Sequence, residues 1–307
     1  MLSVLFFFGF LALFLFGMTL LRIGMFQLSG DRLQQWISPF ISHPAKGMIA
    51  SIVVTMILQS SSAVMVLTIG LVSARIITFP QTIGIILGTN IGTTFTAEFM
   101  TFPIDQYILP ISIFGAVCIL LPTHWIRSSG FILLGIGALF TGLQGFKTLA
   151  KPLTEVSFVQ TLLHQMDNSI LLASLVGIVI TALIHSSSAT TGIGMGFVAA
   201  GVLSMPAAIA VILGANIGTC VTGYMASIGS GKEARLTAYA HIWLNVVGVA
   251  IFLPFVYWID VWTSGFASSP AVQLAHTSVL FNVATALLVF PFAKQFGKLI
   301  VMVHGKR

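Results

Sequence analysis

Charge is what this chain has least of. Only 7% of its 307 residues are charged, where a soluble domain would carry roughly a quarter. Hydrophobic residues make up 57%, and mean hydropathy is +1.05. These values exclude a water-soluble globule and require an integral membrane protein. Cysteine is scarce too. Cys118 and Cys220 both sit in apolar context, which argues for packing residues rather than a disulfide framework or a thiolate metal centre. The net charge of +6 comes from lysines and arginines in loops. They form no basic patch, which excludes a nucleic-acid partner and leaves these charges as reporters of topology. Carboxylates are equally few: Asp31, Asp105, Glu155, Asp167, Glu233 and Asp260 fall in loops or at span ends. Glu98 follows Asn90 by eight residues, about 12 Å along a helix and so near a membrane face, which disfavours a midplane carboxylate proton relay. The apolar start, Leu2 to Leu21, lacks a basic leader and an Ala-x-Ala cleavage site, which predicts a retained first helix.

Against this apolar background one polar pattern occurs twice. Gln59-Ser60-Ser61-Ser62-Ala63 returns as His185-Ser186-Ser187-Ser188-Ala189. Gly88-Thr89-Asn90-Ile91-Gly92-Thr93-Thr94 returns as Gly214-Ala215-Asn216-Ile217-Gly218-Thr219-Cys220. Gln59 to Asn90 and His185 to Asn216 are the same 31 residues apart. Small residues let membrane helices pack closely. Packing alone, however, needs neither asparagine nor three consecutive hydroxyls, and burying them costs free energy unless something binds them. A duplicated polar break in a membrane segment points to a transport site.

Crossing a bilayer takes about 20 apolar residues. Such segments lie near 2–21, 80–98, 107–123, 128–146, 205–228, 236–258 and 273–296. Two more, 47–73 and 169–200, divide at their serine triplets into arms too short to span alone. These read as re-entrant helical hairpins, with one long helix carrying a polar centre as the alternative. The expected fold is an all-α membrane protein of about seven transmembrane helices plus two re-entrant hairpins, in two inverted-topology repeats. Repeat 1 covers 1–126 and repeat 2 covers 127–307, with no second soluble domain. Each repeat opens alike, with Leu15-Phe16-Gly17-Met18 beside Phe140-Thr141-Gly142-Leu143. An amphipathic connector follows in each, Arg22 to Lys46 (anchored by Trp36) and Lys147 to Asn168, read as lying along the interface. Trp258 and Trp262 suit an aromatic belt at the other face. With the N-terminus outside and the C-terminus cytoplasmic, eleven basic residues lie inside and only Lys147 and Lys151 outside. A nine-span reading gives the same count, with Arg75 and Arg127 exchanged for those lysines.

Serine and threonine hydroxyls both donate and accept, so they can meet an oxyanion or a sodium ion. A hairpin turning at its serines aims the free amides of the returning arm into the site, where the helix N-terminus favours an anion. The Gly-x-Asn-Ile-Gly-Thr segments supply the complement. Their glycines permit an unwound turn, and released carbonyls with Asn90, Thr93, Asn216 and Thr219 suit a hard cation such as Na⁺. No lysine or arginine falls within either motif. An anion is therefore expected to be neutralised by co-bound cations and helix dipoles, which is a physical reason for coupling. His185 replaces a glutamine and can contact substrate or titrate near neutral pH. His241 with Asn245, and His276 with Asn282, read as paired polar packing. His43, His124, His164 and His304 read as interfacial.

At this point the residues resemble a known family. The repeated Gln-Ser-Ser-Ser-Ala and Gly-Thr-Asn-Ile-Gly-Thr-Thr motifs resemble those of the type II sodium–phosphate cotransporters and their bacterial relatives. So do Ala240-His241-Ile242-Trp243-Leu244-Asn245 and His276-Thr277-Ser278-Val279-Leu280-Phe281-Asn282. The resemblance implies hairpin tips meeting near the midplane and phosphate carried with Na⁺. It places substrate and ion contacts at Gln59, Ser60, Ser61, Ser62, Asn90, Thr93, Thr94, Ser186, Ser187, Ser188, Asn216 and Thr219. Two departures are His185 for glutamine and Cys220 for the Thr94 of the first copy. The C-terminal helical regulatory domain of many bacterial members has no counterpart up to Arg307.

The resulting expectation is sodium-dependent symport of inorganic phosphate across the cell membrane, with phosphate on Gln59 to Ser62 and His185 to Ser188. Sodium falls to Asn90, Thr93, Thr94, Asn216 and Thr219. Na⁺ is the coupling ion, with no organic cofactor and no transition metal, and the lipid bilayer is the surrounding partner. A homodimer is left open as the assembly. A passive channel, or a carrier for another oxyanion such as sulfate or arsenate, stays as the alternative. An intramembrane serine hydrolase is disfavoured: adjacent His185 and Ser186 are poorly placed to pair, and no carboxylate orients the histidine.

Overall fold

The computed structural model describes residues 2–29 and 43–305, and every regular element among them is helical. In chain order the α-helices are α1 Leu2–Ser29, α2 Pro44–Leu58, α3 Ser61–Ser73, α4 Phe79–Phe99 and α5 Ile108–Ile119. They continue with α6 His124–Leu153, α7 Ser157–Asn168, α8 Ile170–Ile184, α9 Ser187–Ala199 and α10 Met205–Gly218. The remainder are α11 Cys220–Ser227, α12 Lys232–Phe252, α13 Val256–Ser264, α14 Pro270–Val289 and α15 Ala293–His304.

Five stretches are long and apolar enough to cross a membrane: Leu2–Ser29, His124–Leu153, Met205–Ser227, Lys232–Ser264 and Pro270–His304. The last two are helix pairs joined by single 3₁₀ turns, Leu253–Phe255 and Phe290–Phe292. Each turn holds a proline, which has no N–H to continue the α-helical ladder. Two of the seven expected spans fall outside this set. Helix α4 has the length, but its Gln, Asn, Glu and threonines dilute its hydropathy. The segment near 107–123 folds as the shorter α5, preceded by one 3₁₀ turn at Asp105–Tyr107. Large apolar side chains such as Leu120 (84% exposed), Trp258 (78%) and Leu109 (68%) face outward, as a lipid-facing surface requires.

The direction of the short arms follows from close backbone packing. A Cβ at Gly84 would strike the Pro44 carbonyl, one at Gly88 the Met48 carbonyl, and one at Gly92 would sit 2.8 Å from the Ile52 carbonyl. Partner numbers rise together, so α2 and α4 run parallel and α3 must return between them. The second half repeats this. Gly177 meets Val211, Gly214 meets Ser174, and a Cβ at Gly218 would lie 2.6 Å from the Ile178 carbonyl. Helices α8 and α10 are therefore parallel and α9 returns. Both serine segments are helical hairpins, and the single long helix is excluded. Their arms have 15 and 13 residues in each copy, about 20 Å per arm.

Helices α1 and α6 pack antiparallel. A Cβ at Gly17 would lie 2.7 Å from the Gly135 carbonyl, and one at Gly142 would lie 3.0 Å from the Phe10 carbonyl. Adding 125 to both members of the pair 10 and 17 gives 135 and 142, so the contact maps onto itself when the two helices are exchanged.

Three expectations change. Arg22 belongs to the body of α1, not to a connector, and Lys147 and Lys151 belong to α6 rather than to a surface strip. The second connector reduces to the short amphipathic α7, while the part of the first that carries Trp36 lies outside the described residues. The Gly-x-Asn-Ile-Gly-Thr segments are not unwound. The first copy is continuous helix within α4, and the second is interrupted only at Thr219, which keeps helical angles. Their glycines serve close helix packing instead of a turn.

Candidate substrate site

Each hairpin tip is built from two backbone conformations that break one helix and start the next. Gln59 (φ 49°) and His185 (φ 57°) are left-handed and end the incoming arms. Ser60 and Ser186 are extended and start the returning ones. Each caps its new helix: Ser60 Oγ accepts from the Ala63 amide at 3.1 Å and Ser186 Oγ from Ala189 at 3.2 Å. The amides of the next two serines lie in a first helical turn, where no intrahelical carbonyl reaches them. Both tips thus present free N–H groups and serine hydroxyls at a helix N-terminus.

A latch holds each tip to the helix of the Asn motif. Thr96 donates to Gln59 Oε1 at 2.8 Å, and His185 Nδ1 lies 3.3 Å from Thr222 Oγ1. An offset of 126 carries the first contact onto the second, so His185 does the positional work of Gln59.

The two tips meet. Gln59 to Ser62 and Ile184 to Ser188 line one cavity of about 170 Å³, closed by Leu15, Met18, Thr19 and Arg22 of α1 and by Thr93 and Thr96 of α4. A water's share of liquid is about 30 Å³, so a small tetrahedral oxyanion fits. All eight residues expected to hold phosphate line this cavity.

Arg22 joins them there, outside both motifs. Its Nε donates to the Leu58 carbonyl at 3.2 Å, an otherwise orphaned carbonyl at the end of α2. No carboxylate among the described residues neutralises it, because the ion pair found there joins His276 and Glu98, 2.8 Å apart. The expectation of a site without a fixed cation is therefore overturned: α1 folds an arginine onto the tip from 37 residues upstream of Gln59. The available signal was an arginine on an otherwise apolar helix, a functional candidate by default.

The expected sodium residues divide. Thr93 and Asn216 line a small space beside Ser187 and Ser188. Asn90 Nδ2 donates to Asn245 Oδ1 at 3.0 Å. Thr94 and Thr219 hydroxyls turn back to their own helices, donating to Ile91 and Asn216 carbonyls. These three do not line either space at the tips. On the His241–Asn245 helix face Asn245 Nδ2 donates to the His241 backbone carbonyl at 2.9 Å, while the buried His241 Nδ1 has no hydrogen-bond partner among the described residues, so the expected pairing of the histidine is not seen. His276 instead pairs with Glu98.

A separate cavity of about 780 Å³ is lined by Leu143, Gln144 and Lys147 of α6 with Met195 and Gly196 of α9. The offset of 125 carries Met18, Thr19 and Arg22 onto those three α6 residues.

Comparison with known proteins bears on what these cavities serve. Residues 13–148 and 151–263 match the family model described as Na⁺/Pi-cotransporter. The chain is 42% identical to YqeW of Bacillus subtilis over 287 residues, covering 94% of each. It is 28% identical over 301 residues to YjbB of Escherichia coli, a protein named for inorganic phosphate export. That match covers 97% of this chain and spans about half (55%) of the relative. A stretch of 90 residues, 27% of this chain and 13% of the relative, is 36% identical to the human sodium-dependent phosphate transport protein 2B. No solved structure matches the chain.

Proposed function

We propose, since the chain belongs to the Na⁺/Pi-cotransporter family, a family of transporters rather than enzymes, that it binds inorganic phosphate between the hairpin tips and carries it with Na⁺. The observation that carries this reading is the convergence of both serine tips and Arg22 on one cavity. The anion meets hydroxyl donors from both triplets, first-turn amides, and a guanidinium suited to planar recognition of phosphate oxygens. Ser60 and Ser186 accept from their capped amides yet keep O–H groups to donate. One guanidinium leaves a doubly charged phosphate partly uncompensated, so binding strengthens when sodium arrives.

The parallel arms and the self-mapping contact of α1 with α6 support two inverted repeats, residues 1–126 and 127–307, with the hairpins entering from opposite faces. The chain then lies in the cell membrane with its N-terminus outside and its C-terminus cytoplasmic. Alternating access comes from movement of the hairpins against α1 and α6. The return arms are already unequal. A Cβ at Gly196 would lie 2.9 Å from the Lys147 nitrogen on α6, while its counterpart Gly70 meets nothing within 4 Å among the described residues. Exchange of these two arrangements closes one cavity and opens the other.

Proteoliposomes loaded with choline and given radiolabelled phosphate test the function. Uptake above the outside concentration under an inward Na⁺ gradient is expected. Equal uptake with Na⁺ and K⁺ gradients refutes coupling, and uptake that stops at equilibrium marks a passive pathway. The name of the E. coli relative favours export in the cell, and the same vesicles with both gradients reversed measure it. Excess sulfate or arsenate identifies the preferred oxyanion.

A further inference from the structure

Behind the second hairpin tip lies a small enclosed space of about 20 Å³, walled by Thr93, Ser187, Ser188, Asn216, Ser278 and Asn282. That is room for about one water or one bare ion. Its chemistry is lopsided. Asn216 donates its Nδ2 to the Ile212 carbonyl and Asn282 its Nδ2 to the Ser278 carbonyl, each at 2.9 Å. Both carboxamide nitrogens are turned back to their own helices, which leaves the two amide oxygens over. Asn282 is 3% exposed, and its Oδ1 is buried with no hydrogen-bond partner. Thr93 likewise donates to the Thr89 carbonyl and keeps its lone pairs free. The wall holds neutral oxygens without a carboxylate, lysine or arginine. Orphaned acceptors around an ion-sized space suit a hard monovalent cation.

We propose that Asn282 and Ser278 of α14 close a Na⁺ site with Asn216, Thr93, Ser187 and Ser188. Neither α14 residue belongs to the duplicated motifs. The site gives the coupling reading above a physical basis, and it rests on that reading only for the identity of the ion. Ser187, Ser188 and Thr93 wall both this space and the substrate cavity. A cation on one side of these side chains faces an anion on the other, so each raises the affinity for its neighbour by the same factor. The cation also ties the second hairpin tip to α4, α10 and α14, so it stabilises the folded protein even without phosphate.

The test uses the purified full chain in detergent, with no phosphate present. Thermal unfolding is followed while NaCl replaces choline chloride at constant ionic strength. Wild type is expected to gain stability saturably with Na⁺. Asn282→Ala and Ser278→Ala are each expected to need roughly tenfold more Na⁺ for half the effect. Thr285→Val is the control, because Thr285 Oγ1 is another buried, unpartnered hydroxyl on α14 that does not wall the space; it should titrate as wild type does. Indifference of the wild type to Na⁺, or a wild-type titration in both Asn282→Ala and Ser278→Ala, overturns the site. Should Asn282→Ala fail to fold, the Ser278→Ala titration decides alone. Phosphate is absent from this readout, so losing the site leaves phosphate transport standing, and absent transport leaves the titration meaningful.

Discussion

Single residues at the tips divide between holding the turn and meeting the substrate, and substitution can separate the two. Ser60 Oγ is occupied by the Ala63 amide, so Ser60→Ala should cost about 1 kcal/mol of stability through the lost cap. Ser61 lines the cavity with no comparable duty. Ser61→Ala should raise the phosphate KM several-fold with little change in melting temperature. Uptake kinetics and thermal melts on the same preparations decide, and a large melting loss in Ser61→Ala without a KM change refutes the division. Arg22→Gln should raise the phosphate KM at least about tenfold. Arg22→Lys should recover only part of this, because an ammonium keeps the charge without the planar fork. An unchanged KM in Arg22→Gln would confine Arg22 to capping Leu58. The triplets stand out in the sequence because three adjacent hydroxyls are costly to bury in lipid. Arg22 is hidden there because its role needs α1 folded against a tip 37 residues away, and the Asn90–Asn245 contact is hidden because only the fold brings α12 beside α4.

At the scale of elements, arm length and repeat spacing announce the hairpins: an arm of 15 residues falls short of a bilayer. The glycines are harder to read, since a glycine that permits unwinding and one that admits a neighbouring backbone look alike in a sequence. Gly88 and Gly214 are of the second kind, so Gly88→Ala and Gly214→Ala should unseat α2 from α4 and α8 from α10. Gly70 is different. A Cβ there meets nothing within 4 Å among the described residues, so a side chain starts into open space and the present conformer is expected to survive. Docking of α3 on α1, the counterpart of the Gly196 contact with α6, is blocked. Gly70→Leu should therefore leave melting within a few degrees and lower the maximal uptake rate by roughly tenfold or more. Normal turnover would show that the unequal arms do not exchange.

The whole molecule carries a topology that its charges alone could not decide, since seven spans with hairpins and nine full spans distribute the basic residues equally well. Packing direction breaks the tie. Because α2 runs parallel to α4, and α8 to α10, each serine segment leaves by the face it enters, and Arg75 and Lys147 then lie on opposite faces. In the nine-span arrangement the two exchange sides. Cys118 and Cys220 are both buried, so a single introduced cysteine reports its own position against little background. In right-side-out vesicles, Lys147→Cys should react with a membrane-impermeant maleimide, while Arg75→Cys should react only after the membrane is permeabilised. The reverse pattern fits either nine full spans or hairpins that open toward the other faces with the termini exchanged, and it overturns the proposed hairpin orientation. Labelling of both from one side would remove the inversion, and with it the reason for reading the cavity beside α1 and the cavity beside α6 as facing opposite sides of the membrane.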